Sequence, residues 1–137
     1  MSQPVRASQK TLASDPLLRL ATLCAFYFAQ GVPWGFVAIT LVGWLAKGGA
    51  STQEIGQLMA LSTLPWSFKW MWGPVIDVVR LPGGRRRPWI IIAQSMMALT
   101  MGVLFFFPGL LTTFAALGVT IFVHNCFNSL QDVAVDA

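Results

Sequence analysis

Apolar residues occupy four long blocks of this chain, Leu17–Ala46, Ile55–Ile76, Trp89–Phe107 and Phe114–Val135, and short polar or glycine-rich connections separate them. A helix needs roughly 20 apolar residues to cross a hydrocarbon core of about 30 Å. Each block meets that length or comes close. With their turns they predict transmembrane helices over 17–46, 53–77, 88–108 and 112–136. The connections agree with these boundaries. Lys47-Gly48-Gly49-Ala50 breaks the first helix, and Ser51 or Thr52 can cap the second, with Glu54 in its first turn. Leu81-Pro82-Gly83-Gly84 cannot continue a helix. Pro88 suits the first turn of the third helix, where its missing N–H is not needed, and Pro108-Gly109 closes that helix. The first sixteen residues are polar, and Pro4 and Pro16 limit helix formation there, which predicts a mobile cytoplasmic leader over 1–16. The bundle itself is expected over 17–137.

Composition turns this pattern into a fold class. Hydrophobic residues are 55% of the chain and charged residues 10%, against about 25% charged in ordinary soluble domains. Mean hydropathy is +0.66. So much apolar surface cannot be hidden by a soluble protein of 137 residues. A disordered tail, a collagen-like chain, a disulfide scaffold and an ordinary cytosolic enzyme are excluded, leaving an all-α integral membrane protein. The first block is too long for a signal peptide and has no small-residue cleavage site followed by a soluble domain. Cys24 and Cys126 both fall inside apolar runs, as buried thiols do.

The net charge of +4 adds orientation. Arg6, Lys10, Arg19, Arg80 and Arg85 to Arg87 lie at the amino end and in the middle connection, which share one side of a four-helix chain. Lys47 alone lies on the other side, and Lys69 is within a span. The positive-inside bias therefore predicts that both chain ends are cytoplasmic. Basic and aromatic residues do not interleave on a polar surface, so no nucleic-acid partner is expected.

Lipid makes polar side chains costly, so those within the spans are candidate functional groups. At 100° per residue, Asn125, Asn128, Asp132 and Asp136 share about 80° of arc on the fourth helix. His124 and Gln131 extend that face. The stripe either knits helices together by hydrogen bonds or lines a path for substrate or protons. Lys69 has two placements open to it: snorkelling toward the headgroups beside Trp66, Trp70 and Trp72, or turning inward to a carboxylate of the fourth helix or an anionic substrate. Tyr27 and Gln30 lie near the middle of the first helix. There Pro33 removes a hydrogen bond and clashes with the Ala29 carbonyl, so a kink is expected. Gly31 and Gly35 form a pair that lets another helix approach closely.

Several stretches resemble a known family. Gly73-Pro74-Val75-Ile76-Asp77 followed by Gly84-Arg85-Arg86-Arg87 resembles the second-to-third loop signature of the major facilitator superfamily, with extra residues Val78 to Gly83 in between. That longer loop looks like the branch containing AmpG-type muropeptide permeases and acetyl-CoA transporters. Gln30-Gly31-Val32-Pro33, Leu64 to Pro74, and Gln131-Asp132-Val133-Ala134-Val135-Asp136-Ala137 resemble the same branch in the same order. The resemblance implies the first four helices of that fold, in a proton-driven symporter importing a bulky anionic solute such as an anhydromuropeptide across a bacterial inner membrane. It assigns a gating role to Gly73, Asp77, Gly84, Arg85 and Arg86.

Transporters of this superfamily have about twelve spans in two halves, so the chain is expected to be the N-terminal part of a permease whose remaining spans lie elsewhere. Two other readings compete. One is a self-contained four-helix transporter acting as a dimer, although the first span carries no carboxylate. The other is a membrane enzyme holding a divalent metal on Asp132 and Asp136, which resemble the Asp-x3-Asp fragment of CDP-alcohol phosphotransferases, but the Asp-Gly-x2-Ala-Arg stretch of that family is absent. No nucleophile–base pair, phosphate loop or zinc motif occurs, so neither enzymatic activity nor a cofactor or metal is expected.

Overall fold

A computed structural model describes residues 14–136, and every regular element among them is helical. The expected leader lies outside the described residues apart from its last three. Chain contacts divide the protein into two units, one ending at Val32 and the other beginning at Pro33.

The first unit contains the start of α1 (Pro16–Gly35). Asp15 Oδ1 accepts the backbone N–H groups of Leu17 at 3.0 Å and Leu18 at 3.2 Å, capping two donors that have no partner inside the helix. Pro16 is therefore not a helix breaker here. It is the first helical residue, where a fixed φ and a missing N–H do no harm.

In the second unit the chain passes through a π-helical segment, Phe36–Leu41, into α2 (Val42–Lys47). α1 continues through Pro33 to Gly35, and the wider turn begins three residues after the proline. Gly48 and Gly49 end α2, Gly49 with a φ of +89° that a Cβ would strain. α3 (Thr52–Ser67) then opens on a reciprocal cap. The Glu54 N–H donates to Ser51 Oγ at 3.2 Å, while the Ser51 N–H donates to Glu54 Oε2 at 2.8 Å.

The second apolar block is not one helix. α3 stops at Phe68, Lys69–Met71 form a single 3-10 turn, and α4 (Trp72–Val78) follows. Pro74 supplies the reason. In a continuous helix its ring would collide with the Trp70 carbonyl and leave it without a donor. Restarting the helix at Trp72 puts Pro74 in a first turn, where it fits. α5 (Arg87–Phe106) and α6 (Phe114–Asp136) complete the unit, joined by a 3-10 segment, Pro108–Thr112.

By length and composition, two helical stretches can cross a membrane: Pro16–Lys47 and Arg87–Phe106. The other two expected spans differ for separate reasons. α3 and α4 have 16 and 7 residues, each short of the roughly 20 needed. α6 is long enough at 23 residues but carries a heavy load of polar side chains.

α6 is the element on which the second unit is built. At its amino end Leu117 and Ile121 join Val37, Leu41, Leu45, Leu58 and Leu104 in one apolar core. At its carboxyl end Leu130 and Ala134 join Ile76 and Ala93 in another. α3 and α4 run parallel to α6: Leu61 meets Gly118 near its start, and Ile76 meets the core around Ala134 near its end. α5 runs antiparallel, with Leu104 in the first core and Ala93 in the second.

Candidate functional site

Between those two dry cores, the middle of α6 is polar. His124, Asn125, Asn128, Ser129, Gln131 and Asp132 are all buried. The 23-residue helix spans roughly 34 Å, and Asn125 is near its midpoint. Local bonding accounts for part of this stripe. Asn125 Nδ2 donates to the Ile121 carbonyl at 3.1 Å, one turn back on its own helix. Ser129 Oγ donates to the Cys126 carbonyl at 2.9 Å and accepts Trp72 Nε1 from α4 at 3.0 Å.

Across the α5–α6 contact, Thr100 Oγ1 lies 2.8 Å from His124 Nδ1 and also reaches the carbonyls of Met96 and Met97. A hydroxyl has one proton to give. If it goes to a backbone carbonyl, His124 must donate from Nδ1, and Nε2 is then a buried acceptor. Among the described residues that Nε2 has no partner.

The two amides facing the same way show the same imbalance. Neither the oxygen nor the nitrogen of Asn128 and of Gln131 finds a hydrogen-bond partner among the described residues, although both side chains are fully buried. Leaving such a group unsatisfied costs about 1–3 kcal/mol. Among the described residues, hydrogen bonding between helices therefore does not account for these two side chains. Replacing Asn128 or Gln131 by leucine is expected to leave the thermal unfolding midpoint unchanged or raised in detergent. A clear drop in that midpoint would mean the amides are structurally bonded.

The strongest polar contact is at the helix break. Lys69 Nζ donates to Asp132 Oδ2 at 3.0 Å and lies 5.7 Å from the centre of the Trp66 ring. The Lys69 side chain is 48% exposed and that of Asp132 only 10%. Lys69 reaches a carboxylate of the last helix, one of the partners the sequence left open to it. Trp72, later in the chain, bonds Ser129, whereas Lys69 reaches past it to Asp132, a turn nearer the end of α6. The lysine thus extends toward the helix end, as a snorkelling side chain does, and meets its carboxylate there. Beside it Phe68, Trp70 and Met71 are exposed and form an apolar rim.

Other sequence candidates fall elsewhere. Tyr27, Gln30 and Gly31 belong to the first unit, on α1. A Cβ built on Gly35 would meet no atom within 4 Å among the described residues, so no close helix approach occurs there. That approach is found at Gly118, where a Cβ would come 3.2 Å from Leu61 Cδ1. Asp136 is exposed at the end of α6. In the loop, Arg85 Nη2 donates to Asp77 Oδ1 at 2.8 Å, with both side chains more than half exposed. Arg86 precedes α5 and its Nε is buried without a partner among the described residues. Gly73 lies within α4, and Gly84 holds a φ of +118°. Thr100, Ser129 and Gly118 were not singled out from sequence. Ser129 was open to detection, since it lies one turn after Asn125 on the polar arc.

The family model described as BT1 family matches residues 28–137, which takes in α2 to α6 and the whole polar face of α6. The chain belongs to the BT1 family. Its curated relatives include an uncharacterized protein of Haemophilus influenzae, 27% identical over 130 residues, which cover 93% of this chain and 30% of the relative. The anhydromuropeptide permease of Escherichia coli K12 is 33% identical over 122 residues, covering 87% of this chain and 24% of the permease. An uncharacterized membrane protein of Saccharomyces cerevisiae is 33% identical over 105 residues, covering 74% of this chain and 18% of that protein. The chain thus spans less than a third of the length of these relatives. No solved structure matches it.

Proposed function

We propose that this BT1 chain forms the N-terminal part of a secondary-active permease in a bacterial inner membrane, importing a bulky anionic solute with protons. The reading is carried by one observation: an ion pair between Lys69 and the largely buried Asp132, set at a helix break and close along α6 to the buried amides of Asn128 and Gln131. Broken helices and paired ionisable groups inside membrane spans are where transporters bind substrate and coupling ions. The ammonium has three donors and Asp132 Oδ2 takes one, so Lys69 is equipped to hold a carboxylate of the solute on its exposed side. Protonation of Asp132 would free Lys69 for that carboxylate, coupling proton entry to solute binding. The name of the Escherichia coli relative supports an anhydromuropeptide as the solute.

In this reading all four helical stretches span the bilayer, with both ends in the cytoplasm. Asp77 and Arg85 then face the cytoplasm, where their contact holds one of two gating arrangements. Single cysteines test the orientation in a variant lacking Cys24 and Cys126. Ala50→Cys is expected to react with an impermeant reagent added outside intact cells, and Pro82→Cys only after the cells are opened; the reverse pattern would overturn the topology. Transport is tested by exchanging the matching quarter of the Escherichia coli permease for this chain. Cells lacking their own permease should regain uptake of labelled anhydromuropeptide with the chimera and lose it again with Lys69→Ala. A chimera that reaches the membrane but moves no solute counts against the proposal.

A further inference from the structure

A cavity of about 390 Å³ beyond the end of α4, lined by Asp77, Arg80, Leu81, Gly84 and Arg85, lies at the gating loop and is given no ligand by the transport reading. Two guanidinium groups and one carboxylate leave it with a net positive charge. Asp77 Oδ1 occupies one N–H of Arg85, at 2.8 Å, out of the five that a guanidinium carries. Arg80 makes no side-chain hydrogen bond or ion pair among the described residues. Space beside Gly84 is open, with no atom beyond its chain neighbours within 4 Å of where a Cβ would be. Next to this basic pocket the chain exposes two apolar residues, Val78 at 80% and Val79 at 44%. A forked cation fits phosphate oxygens in pairs. An apolar rim beside a basic pocket matches the boundary between acyl chains and headgroups.

We propose that this pocket binds a phosphate group, presented by the headgroup of an anionic phospholipid. Inorganic phosphate shares the chemistry, so the experiment has to separate the two sources. Only the lipid source rests on the membrane reading above. A phosphate held there competes with Asp77 for Arg85, so an occupied pocket would weaken the Asp77–Arg85 contact.

The test uses the full chain purified in detergent and reads lipid retention by native mass spectrometry alongside the thermal midpoint. Phosphatidylglycerol is compared with an uncharged glycolipid of the same acyl chains, and with inorganic phosphate alone. Saturable retention of phosphatidylglycerol, at least about fivefold above the glycolipid, is expected, as 1.4 kcal/mol is tenfold in affinity and one lost charge-assisted contact is of that order. Arg80→Gln should abolish the difference and Arg80→Lys should keep part of it. Protection by phosphatidylglycerol alone identifies the lipid. Equal protection by inorganic phosphate, lost in Arg80→Gln, supports the site and identifies the free ion. Equal retention of both lipids by the unaltered chain overturns the proposal, and so does undiminished phosphatidylglycerol retention in Arg80→Gln. The first of these comparisons needs no variant, so it decides the matter even if Arg80→Gln fails to fold. None of the readouts measures uptake, so failure here and failure of the transport reading are separate results.

Discussion

Replacing Lys69 by alanine is expected to destabilise the second unit by about 2 kcal/mol and to abolish transport by a permease that carries it. Removing one partner of a buried ion pair typically costs about 3–5 kcal/mol, because the remaining charge is stranded. The cost here should be smaller, since the lysine side chain is 48% exposed and solvent screens the pair. The same reasoning predicts an asymmetry. Asp132→Asn strands only a half-exposed ammonium, which water or headgroups can solvate, so it should destabilise less than Lys69→Ala. The double variant, with no stranded charge, should recover part of the loss. Chemical unfolding in detergent across these three variants checks the prediction. If Lys69→Ala and the unaltered chain unfold at the same midpoint, the pair contributes nothing to the fold.

The second large effect is expected at Gly118. Leu61 Cδ1 would lie 3.2 Å from a Cβ at this position and Leu58 Cδ1 3.9 Å, so α3 packs directly over the glycine. Alanine should cost little, because the clash is with the tip of a flexible side chain. Valine adds two further carbons to a filled contact and should destabilise by about 1–3 kcal/mol, the usual range for overpacking. Leu61→Ala in the same chain should restore much of the loss by opening room. In lipid this contact matters more than its apolar character suggests, since close packing rather than exclusion from water holds such helices together. Equal midpoints for the alanine and valine variants would show that α3 does not bear on α6 at Gly118.

These two sites also show how far the sequence could be read. The four helical stretches, their connecting turns and the Ser51–Glu54 cap follow from local rules, because apolar block length, glycine and proline placement and capping chemistry act within a few residues. The polar arc on α6 was equally legible, since it depends only on helical periodicity. The sequence therefore determined an all-α chain with a hydrophilic stripe on its last helix, and put the gating candidates eight residues apart, Asp77 at the end of one helix and Arg85 in the loop after it.

Which groups meet was decided only by tertiary structure. Lys69 and Asp132 are 63 residues apart, and nothing local links them. The break after Ser67 was open to the sequence only through Pro74, whose effect depends on where the helix restarts. Gly31 and Gly35 carry the paired spacing that Gly118 lacks, yet among these three glycines only Gly118 has a neighbouring side chain within 4 Å. The two empty amides, Asn128 and Gln131, differ from the bonded Asn125 by what surrounds them and not by residue type. Periodicity fixes which way a side chain points along its own helix. Pairing depends on what the neighbouring helix presents at that height, and that is set by the packing of two apolar cores around the polar middle of α6.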